Sequence, residues 1–555
     1  MPTLNRREGV ALLAAGTLSA CATTTGTPAP VAPQVFRHGV ASGDPQTDSL
    51  VLWTRVEPSS VRETVEWIIA EDAALTQPVQ RGTVTTDASR DFTVKAVPHG
   101  LQPGRRYHYG FTCRGEASPT GRTRTLPDGR VERLGIALVS CSNYAFGHFN
   151  AYGLIAEDPE IDIVLHTGDY IYEYGADGWG ADTAKVLGRV HEPAGEIITL
   201  ADYRTRHAQY KSDPQSQAMH AAHPFVACWD DHEVTNNPWT GGAQNHQPDE
   251  EGDWEARRAA ALQAYYEWLP VRDPGTDLGR RAFWRGYRFG DLATLVTLES
   301  RHTGRHEQID YGDWEDRITD AASRDRFMAD VVNDPDRRML SDEMHAFLGD
   351  ALTASTRDGQ PWRLIGNASP IARMLVPDVT PLAAKPSTFE TEAARKAFAH
   401  VAWKGRWGLP FYTDTWDGYP AARERVYDLA AGAGARDLVF LTGDSHSFWI
   451  NDLSDASGTP MGVELGTAGV SSPGDFVESG YGEALSAALD RHFETALPEV
   501  VWTDNFHQGY VRVVLTRETG RADFVASGDV LAPSRRSTVI RTTTLTPTGG
   551  RIALG

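Results

Sequence analysis

The stretch DIVLHTGDYIYEYG, Asp162 to Gly175, decides how the rest of the chain is read. Ile163, Val164 and Leu165 are an apolar run that predicts a buried strand. Straight after it come Gly168, the carboxylate of Asp169 and the phenols of Tyr170, Tyr172 and Tyr174. A simple turn needs none of these groups. Delivered together at the end of a buried strand, they are costly unless something positive meets them there.

Working outward, the arrangement recurs. LGIALV leads into Ser140-Cys141-Ser142-Asn143-Tyr144, FVACW into Asp230-Asp231-His232-Glu233, and LVFLT into Gly443-Asp444-Ser445-His446. LATLVTLES and WRLIGNAS are further runs of the same kind, and helix-period stretches such as EARRAAALQAYYEWL and YGEALSAALDRHFETAL lie between them. Continuous apolar runs read as strands buried on both faces, so the pattern predicts an α/β layered domain. In open α/β sheets ligands bind at the carboxyl edge. Oxygen, imidazole and thiolate groups from separate strands can converge there on metal ions. Singly, each motif has a plain structural reading. Asp169 can be a cap or turn residue, Tyr172 packing, Cys141 a small buried hydrophobe, and WDDHE a solvated acidic turn. Jointly, each after a strand, they are far harder to explain that way.

The bulk numbers narrow the classes. The chain has 555 residues, with 53 basic against 74 acidic side chains and a net charge of −21. That balance argues against specific nucleic-acid binding. An acidic protein acting on an anionic substrate needs local positive charge, which bound metal ions supply. Four cysteines are too few for a disulfide framework at this length. There is no G-x-S-x-G elbow, H-E-x-x-H helix or P-loop.

The amino terminus, LNRREGVALLAAGTLSAC, places Arg6 and Arg7 before an apolar run from Val10 to Ala20. That run is shorter than the about 20 residues a membrane span takes. Residues 1–20 read as an export signal of twin-arginine type. LSAC resembles a bacterial lipobox, which would make Cys21 the lipidated first residue of an exported periplasmic or cell-surface lipoprotein. A cleaved signal with an incidental cysteine is the alternative. The expected partners are then the twin-arginine export machinery and, through the lipid, a membrane. Residues 21–34 are a Thr/Pro/Ala linker. From 35 to 130, SLVLWTRV, TVEWIIA, FTVKAVPHG and RYHYGFTC have the spacing of a small β-sandwich. GLQPGRRYHYGF resembles the tyrosine corner of a fibronectin type III-like module, with Trp53 and Tyr107 in its core. Residues 131–555 form the expected catalytic domain.

The order Gly-Asp-x-x-Tyr, then [Asn/Asp]-His-Glu, then Gly-[His/Asp]-x-His resembles the metallophosphoesterase superfamily. The longer string SCSNY…FNAY…HTGDYIYEYG…WDDHEVTNN…LTGDSHSFW, with FRHGVASGDPQTDSLVLWTRV in front, resembles the PhoD-type alkaline phosphatase/phosphodiesterase family from Phe36 to about Val513. The resemblance implies a metallophosphoesterase sandwich that hydrolyses small or polymeric phosphate monoesters or diesters by attack of metal-bound hydroxide, with Fe3+ and Ca2+ as cofactors. By position it makes Asp169 the bridging carboxylate, Tyr172, Cys141 and His446 ligands on the iron side, and Asp231 and Asp444 ligands for calcium. It makes His232 the group that contacts phosphate and protonates the leaving group, with Asp230 as support or ligand. Asn143 and Asn150 are candidate phosphate contacts or metal ligands; Arg301 and Asn367 are candidate phosphate contacts, ordinary loop polarity being the alternative. A phospholipase D-like phosphodiesterase of the same family is the alternative activity, and an inactive lipid-anchored binding protein a further one. Ser140, Ser142 and Ser445 leave a phosphoserine route open. GWGADTAKVLGRVHEP reads as a wall, a lid or a surface loop, and the strand-like segment from Ala532 has no readable task.

Overall fold

The computed structural model describes residues 34–383, 389 and 391–555. The expected signal, Cys21 and the linker up to Pro33 lie outside the described residues. The front segment supplies β1 (Val40–Gly43), β2 (Val51–Arg55), β3 (Arg62–Ala70), β4 (Pro78–Asp87), β5 (Thr93–Ala96), β6 (Arg106–Cys113), β7 (Glu116–Ala117) and β8 (Gly121–Arg124). Then follow β9 (Leu134–Val139), β10 (Ile163–His166), β11 (Phe225–Ala227), β12 (Pro238–Trp239), β13 (Gly242–Ala243), β14 (Arg285–Phe289), β15 (Ala293–Thr297) and β16 (Trp362–Asn367). The last are β17 (Leu438–Thr442), β18 (Phe448–Ser454), β19 (Pro460–Gly466), β20 (Val500–Asp504), β21 (Gly509–Leu515), β22 (Gly520–Ser527), β23 (Ser537–Thr548) and β24 (Arg551–Leu554).

Two large mixed sheets carry the region that follows the front segment. The first runs β24-β23-β22-β21-β9-β10-β11-β1-β2-β5, and the second β14-β15-β16-β17-β19-β18-β20. β9, β10 and β11 are parallel, as are β15, β16, β17 and β19. The apolar runs have the cause expected of them. In β9, Ile136 and Leu138 pack between the two sheets with Leu364, Val439 and Leu465, whereas Ala137 and Val139 face Tyr152, Ile155 and Tyr265 of the covering helices. On the far side of the second sheet, Ile365 and Phe440 meet Met344, Leu348 and Val426 from the helices Asp342–Arg357 and Pro420–Gly432. The result is a helix–sheet–sheet–helix sandwich. The carboxyl-terminal segment, strand-like in the sequence but without a readable task, supplies β23 and β24 at one edge of the first sheet.

The front segment is β-rich as expected, and its Tyr107 hydroxyl accepts the Gln102 N–H at 3.0 Å, closing the tyrosine corner. It is also continuous with the catalytic region. β3, β4, β6, β7 and β8 form a sheet of their own, but β1, β2 and β5 extend the ten-stranded sheet through the parallel pairing of Gly43 with Phe225. Gly43 is required at that step, since a Cβ there would sit 2.5 Å from the Phe225 carbonyl oxygen. Trp53 is fully buried and donates its Nε1–H to the Glu267 carbonyl at 2.8 Å, fastening the front segment to the helix Trp254–Trp268.

This junction encloses Lys211, the last residue of the helix Leu200–Lys211. Its ammonium is buried without a hydrogen-bond partner, 4.9 Å from the Trp53 ring centroid and 5.4 Å from that of Tyr170. Burial holds its pKa well below the usual lysine range. A lysine whose folded pKa is lowered must shed a proton on folding, so its penalty grows as pH falls below the unfolded value of about 10.4 and fades as pH rises towards it. Lys211→Met is therefore expected to raise unfolding stability at pH 7 by about 1–3 kcal/mol, with a smaller gain near pH ~10. Urea unfolding at both pH values checks this, and a loss of stability at pH 7 would contradict it.

Candidate metal centre

The carboxyl ends of strands from both sheets meet at one seam. Cys141 follows β9, Asp169 follows β10, Asp230 to Glu233 follow β11, and Asp444 and His446 follow β17 of the second sheet. Two glycines permit the approach. A Cβ on Gly168 (φ 105°) would lie 2.4 Å from the Asp230 backbone nitrogen, and one on Gly443 would lie 2.3 Å from Ser140 Oγ. Cys141, Asp169, Asp444 and His446 have φ of 61°, 57°, 63° and 55°. Left-handed backbone is uncommon outside glycine and is held only where the surroundings enforce it. Here it turns each chain sharply at the strand end, where its side chain joins the cluster.

Asp169 stands at the centre. Its Oδ2 lies 3.4 Å from Cys141 Sγ and accepts the Tyr172 phenol at 3.0 Å, while its Oδ1 accepts the His232 backbone N–H at 3.3 Å. Tyr172 Oη is also 3.3 Å from His446 Nε2. One donor atom each from Cys141, Asp169 and His446 lie within 4.8 Å of one another, as do those of Asp169, Asp231 and His232, and those of Asp230, Asp231 and Asp444. The first group, with Tyr172 beside it, mixes sulfur, phenol oxygen, imidazole and carboxylate. The third is all oxygen. Asp169 and Asp231 connect them, giving adjacent positions of different character.

The electrostatics fit bound cations. Asp169, Asp230, Asp231 and Glu233 are buried, Asp444 is 19% exposed on its side chain, and Arg301 is the guanidinium that faces them. Burial and then the neighbouring carboxylates push the Asp169 carboxyl well above its usual range. Asp444 is raised in the same way, by burial and then by Asp230. Burial lifts Asp230 and Glu233 to about 7. Asp231 goes the other way, because His232, Arg301 and the Asn237 N–H outweigh its burial. The buried Cys141 thiol and Tyr172 phenol are both raised well above their usual values, first by burial and then by Asp169. A cluster of acids that resists ionising unless positive charge is close by has the donor chemistry to hold cations.

The remaining candidates divide. Arg301 donates Nε–H to Asp230 Oδ1 at 2.5 Å, lies 3.9 Å from Asp444 through Nη2, and keeps Nη1 buried with no hydrogen-bond partner. Asn143 is buried with its Nδ2 unpartnered. Asn367, at the end of β16, keeps Oδ1 unpartnered while its Nδ2 donates to Ser369 O at 2.5 Å. Asn150 is a correction. Its amide donates to the carbonyls of Asp529 and Ala532 at 3.0 Å and accepts from the Ser534 N–H at 2.9 Å and Gln215 at 3.0 Å. It therefore anchors the carboxyl-terminal loop and has no capacity left for phosphate. The serines are engaged too. Ser140 Oγ contacts Cys141 Sγ at 2.6 Å, Ser142 donates to the Tyr170 carbonyl at 2.9 Å, and Ser445 accepts from Trp449 Nε1 at 2.9 Å.

Four groups escaped the sequence reading. Glu233 accepts the backbone N–H groups of Asp169, Tyr170 and Asp230 at 3.1, 2.6 and 2.8 Å, tying the β10 and β11 ends together. Glu173 Oε2 lies 2.6 Å from His232 Nδ1. The Asn236 N–H and Asn245 Nδ2 bond the other oxygen of Glu173, both at 2.9 Å. Burial alone would raise the Glu173 pKa, but His232 and these donors hold it below the usual range. Both glutamates stand in quoted motifs, and their signal was a carboxylate with no solvent-facing reason in an apolar setting. Trp179 and Glu478 carried no such signal. The Trp179 ring lies 5.7 Å from His446 at 17° and 6.4 Å from His232 at 18°, with Nε1 donating to Glu478 at 2.6 Å. GWGADTAKVLGRVHEP thus supplies a wall of the site.

The chain matches known proteins along most of its length. Residues 136–524 match the family profile described as PhoD-like phosphatase, and residues 20–127 its N-terminal domain. Alkaline phosphatase D of Bacillus subtilis (strain 168) is 34% identical over 510 residues, covering 88% of this chain and 77% of that protein. The solved structure titled "Structure of PhoD" superposes with a TM-score of 0.73 at 29% identity, covering 94% of this chain and 92% of the other.

The Glu173–His232 contact generates a test. A carboxylate that fixes an imidazole's tautomer and orientation is worth about 10–100-fold in activity or metal affinity. Glu173→Gln is expected to lower turnover of a nitrophenyl phosphate by about 10–100-fold with metal content and melting temperature close to wild type. Steady-state kinetics with elemental analysis check it; unchanged turnover would show that the contact only packs the loop.

Proposed function

We infer the chemistry from family membership: the chain belongs to the PhoD-like phosphatase family, and it is a phosphoesterase. The observation that carries the finer reading is the convergence of thiol, phenol, imidazole and carboxylate groups on Asp169. In this reading Cys141, Tyr172, His446 and Asp169 would hold a ferric ion, and the carboxylates of Asp231 and Asp444, with Asp169 beside them, would hold calcium, which takes oxygen ligands. When bound, such ions draw charge from the phosphoryl oxygens and acidify the attacking water. The chain's own groups do the rest. Arg301 Nη1 and Asn143 Nδ2, buried donors without a protein partner, donate hydrogen bonds to the phosphoryl oxygens. His232, held through Nδ1 by Glu173, gives a proton from Nε2 to the departing ester oxygen. Trp179, lying over both imidazoles, limits the entry of bulk water.

Location belongs to the same proposal. The Arg6-Arg7 pair and the LSAC sequence support export as a folded lipoprotein through the twin-arginine route, so that the metals are loaded before the protein leaves the cytoplasm.

Two outcomes are expected. Purified protein contains iron and calcium and shows a visible tyrosinate-to-iron absorption band that disappears in Tyr172→Phe, and chelation removes activity; a colourless metal-loaded protein would contradict the iron assignment. Cys21→Ser moves the mature protein from the membrane to the soluble fraction, as fractionation with immunoblotting reads; equal distribution of the two forms would rule the anchor out.

A further inference from the structure

At the opposite end of the strands lies a second concentration of charge. Arg106 on β6, Arg124 on β8 and Arg133 just before β9 all reach Asp162, which precedes β10. Their distances to its carboxylate are 3.3, 2.6 and 3.1 Å, and the Gly135 N–H donates to the same group at 3.0 Å. Arg122 joins them from β8, with its Nε–H donating at 3.0 Å to the Ala222 carbonyl at the end of the helix Pro214–Ala222. Three guanidinium groups thus converge on one carboxylate with a fourth, that of Arg122, beside them, on a chain whose net charge is −21.

The surrounding acids do not redress this. Glu160 pairs with Arg512 and Arg521, and Asp158 with Arg512. His223 adds no charge, since burial and then Arg122 lower its pKa to about 4. Arg122 itself is made more acidic by burial and then by Arg106, so the two guanidinium groups repel one another across the gap. Between them is a cleft of about 90 Å³ lined by Arg106, Arg122, Arg124, Asp162, His223 and Pro224. It opens to solvent along Arg106, whose side chain is 59% exposed.

We propose that this cleft binds a phosphate oxyanion, separately from the metal centre, through Arg106 and Arg122. The tie to Ala222 holds the Arg122 fork in place, and planar guanidinium groups match phosphate oxygens two at a time. A dianion relieves the excess positive charge that Asp162 leaves. The position is distinct from the site of reaction: β9 separates the cleft from Cys141 by six residues, about 20 Å of extended chain. A phosphoesterase meets this anion in two forms, as the free orthophosphate it releases and as phosphate groups carried on a polymer.

Calorimetric titration of the metal-loaded full chain with orthophosphate tests the assignment without reading activity. Wild type is expected to take up two phosphates per chain. The Arg106→Gln/Arg122→Gln variant is expected to lose one of them, its Kd rising at least about tenfold, while the visible band, melting temperature and kcat for a nitrophenyl phosphate stay at wild-type values. A parallel titration with a short polyphosphate separates the sources: tighter binding than orthophosphate, lost in the same variant, assigns the site to polymer-borne phosphate, and equal binding assigns it to the free anion. A single phosphate per wild-type chain, or an undiminished second site in the variant, overturns the proposal.

Discussion

The structure turns on the burial of acids with too little positive charge to hold them. Asp169, Asp230, Asp231 and Glu233 lie inside the protein at the meeting of two sheets, with Asp444 at their margin and Arg301 as their guanidinium. Buried carboxylates without compensation resist ionisation, and several of these do. Bound cations would compensate these acids, which links the energetics of the seam to the reaction of a phosphoesterase. The positive charge that lets the acids ionise is also the charge that draws in an anionic ester.

Much of the remaining architecture holds that cluster in register. Left-handed turns at Cys141, Asp169, Asp444 and His446 store backbone strain at the site, and the sheets and cores around them enforce it. Glu233 fastens three backbone amides from two strand ends, a contact that orders the loops carrying Asp169 and Asp230. The carboxyl-terminal strands and the front segment lie towards opposite edges of the same ten-stranded sheet. The front segment is fused to the catalytic region by backbone pairing, by Trp53 and by the Asp162 arginine cluster.

The layered fold and most of the donor groups that gather at the seam were legible in the chain itself. Ile136, Val164 and Leu441 are apolar because both faces of their strands are covered, and that leaves a mark in composition that needs no coordinates. Cys141, Asp169, Asp231, Asp444 and His446 were legible because reactive groups immediately after such strands break the pattern. Asn150, in the FNAY motif, was a candidate phosphate contact or metal ligand, and tertiary contacts gave it to the carboxyl-terminal loop instead.

What the sequence by itself determined is the local alternation of buried strand and polar terminus, because burial and chain reversal act over a few neighbouring residues. Only the tertiary structure decided that β17 in a second sheet delivers Asp444 and His446 to the acids of the first, and that Trp179 and Glu478, 299 residues apart, close the site. It alone made β1, β2 and β5 part of the catalytic sheet and gathered four arginines around Asp162. These pairings depend on which surfaces pack together, and long-range packing leaves no periodic trace in the order of residues.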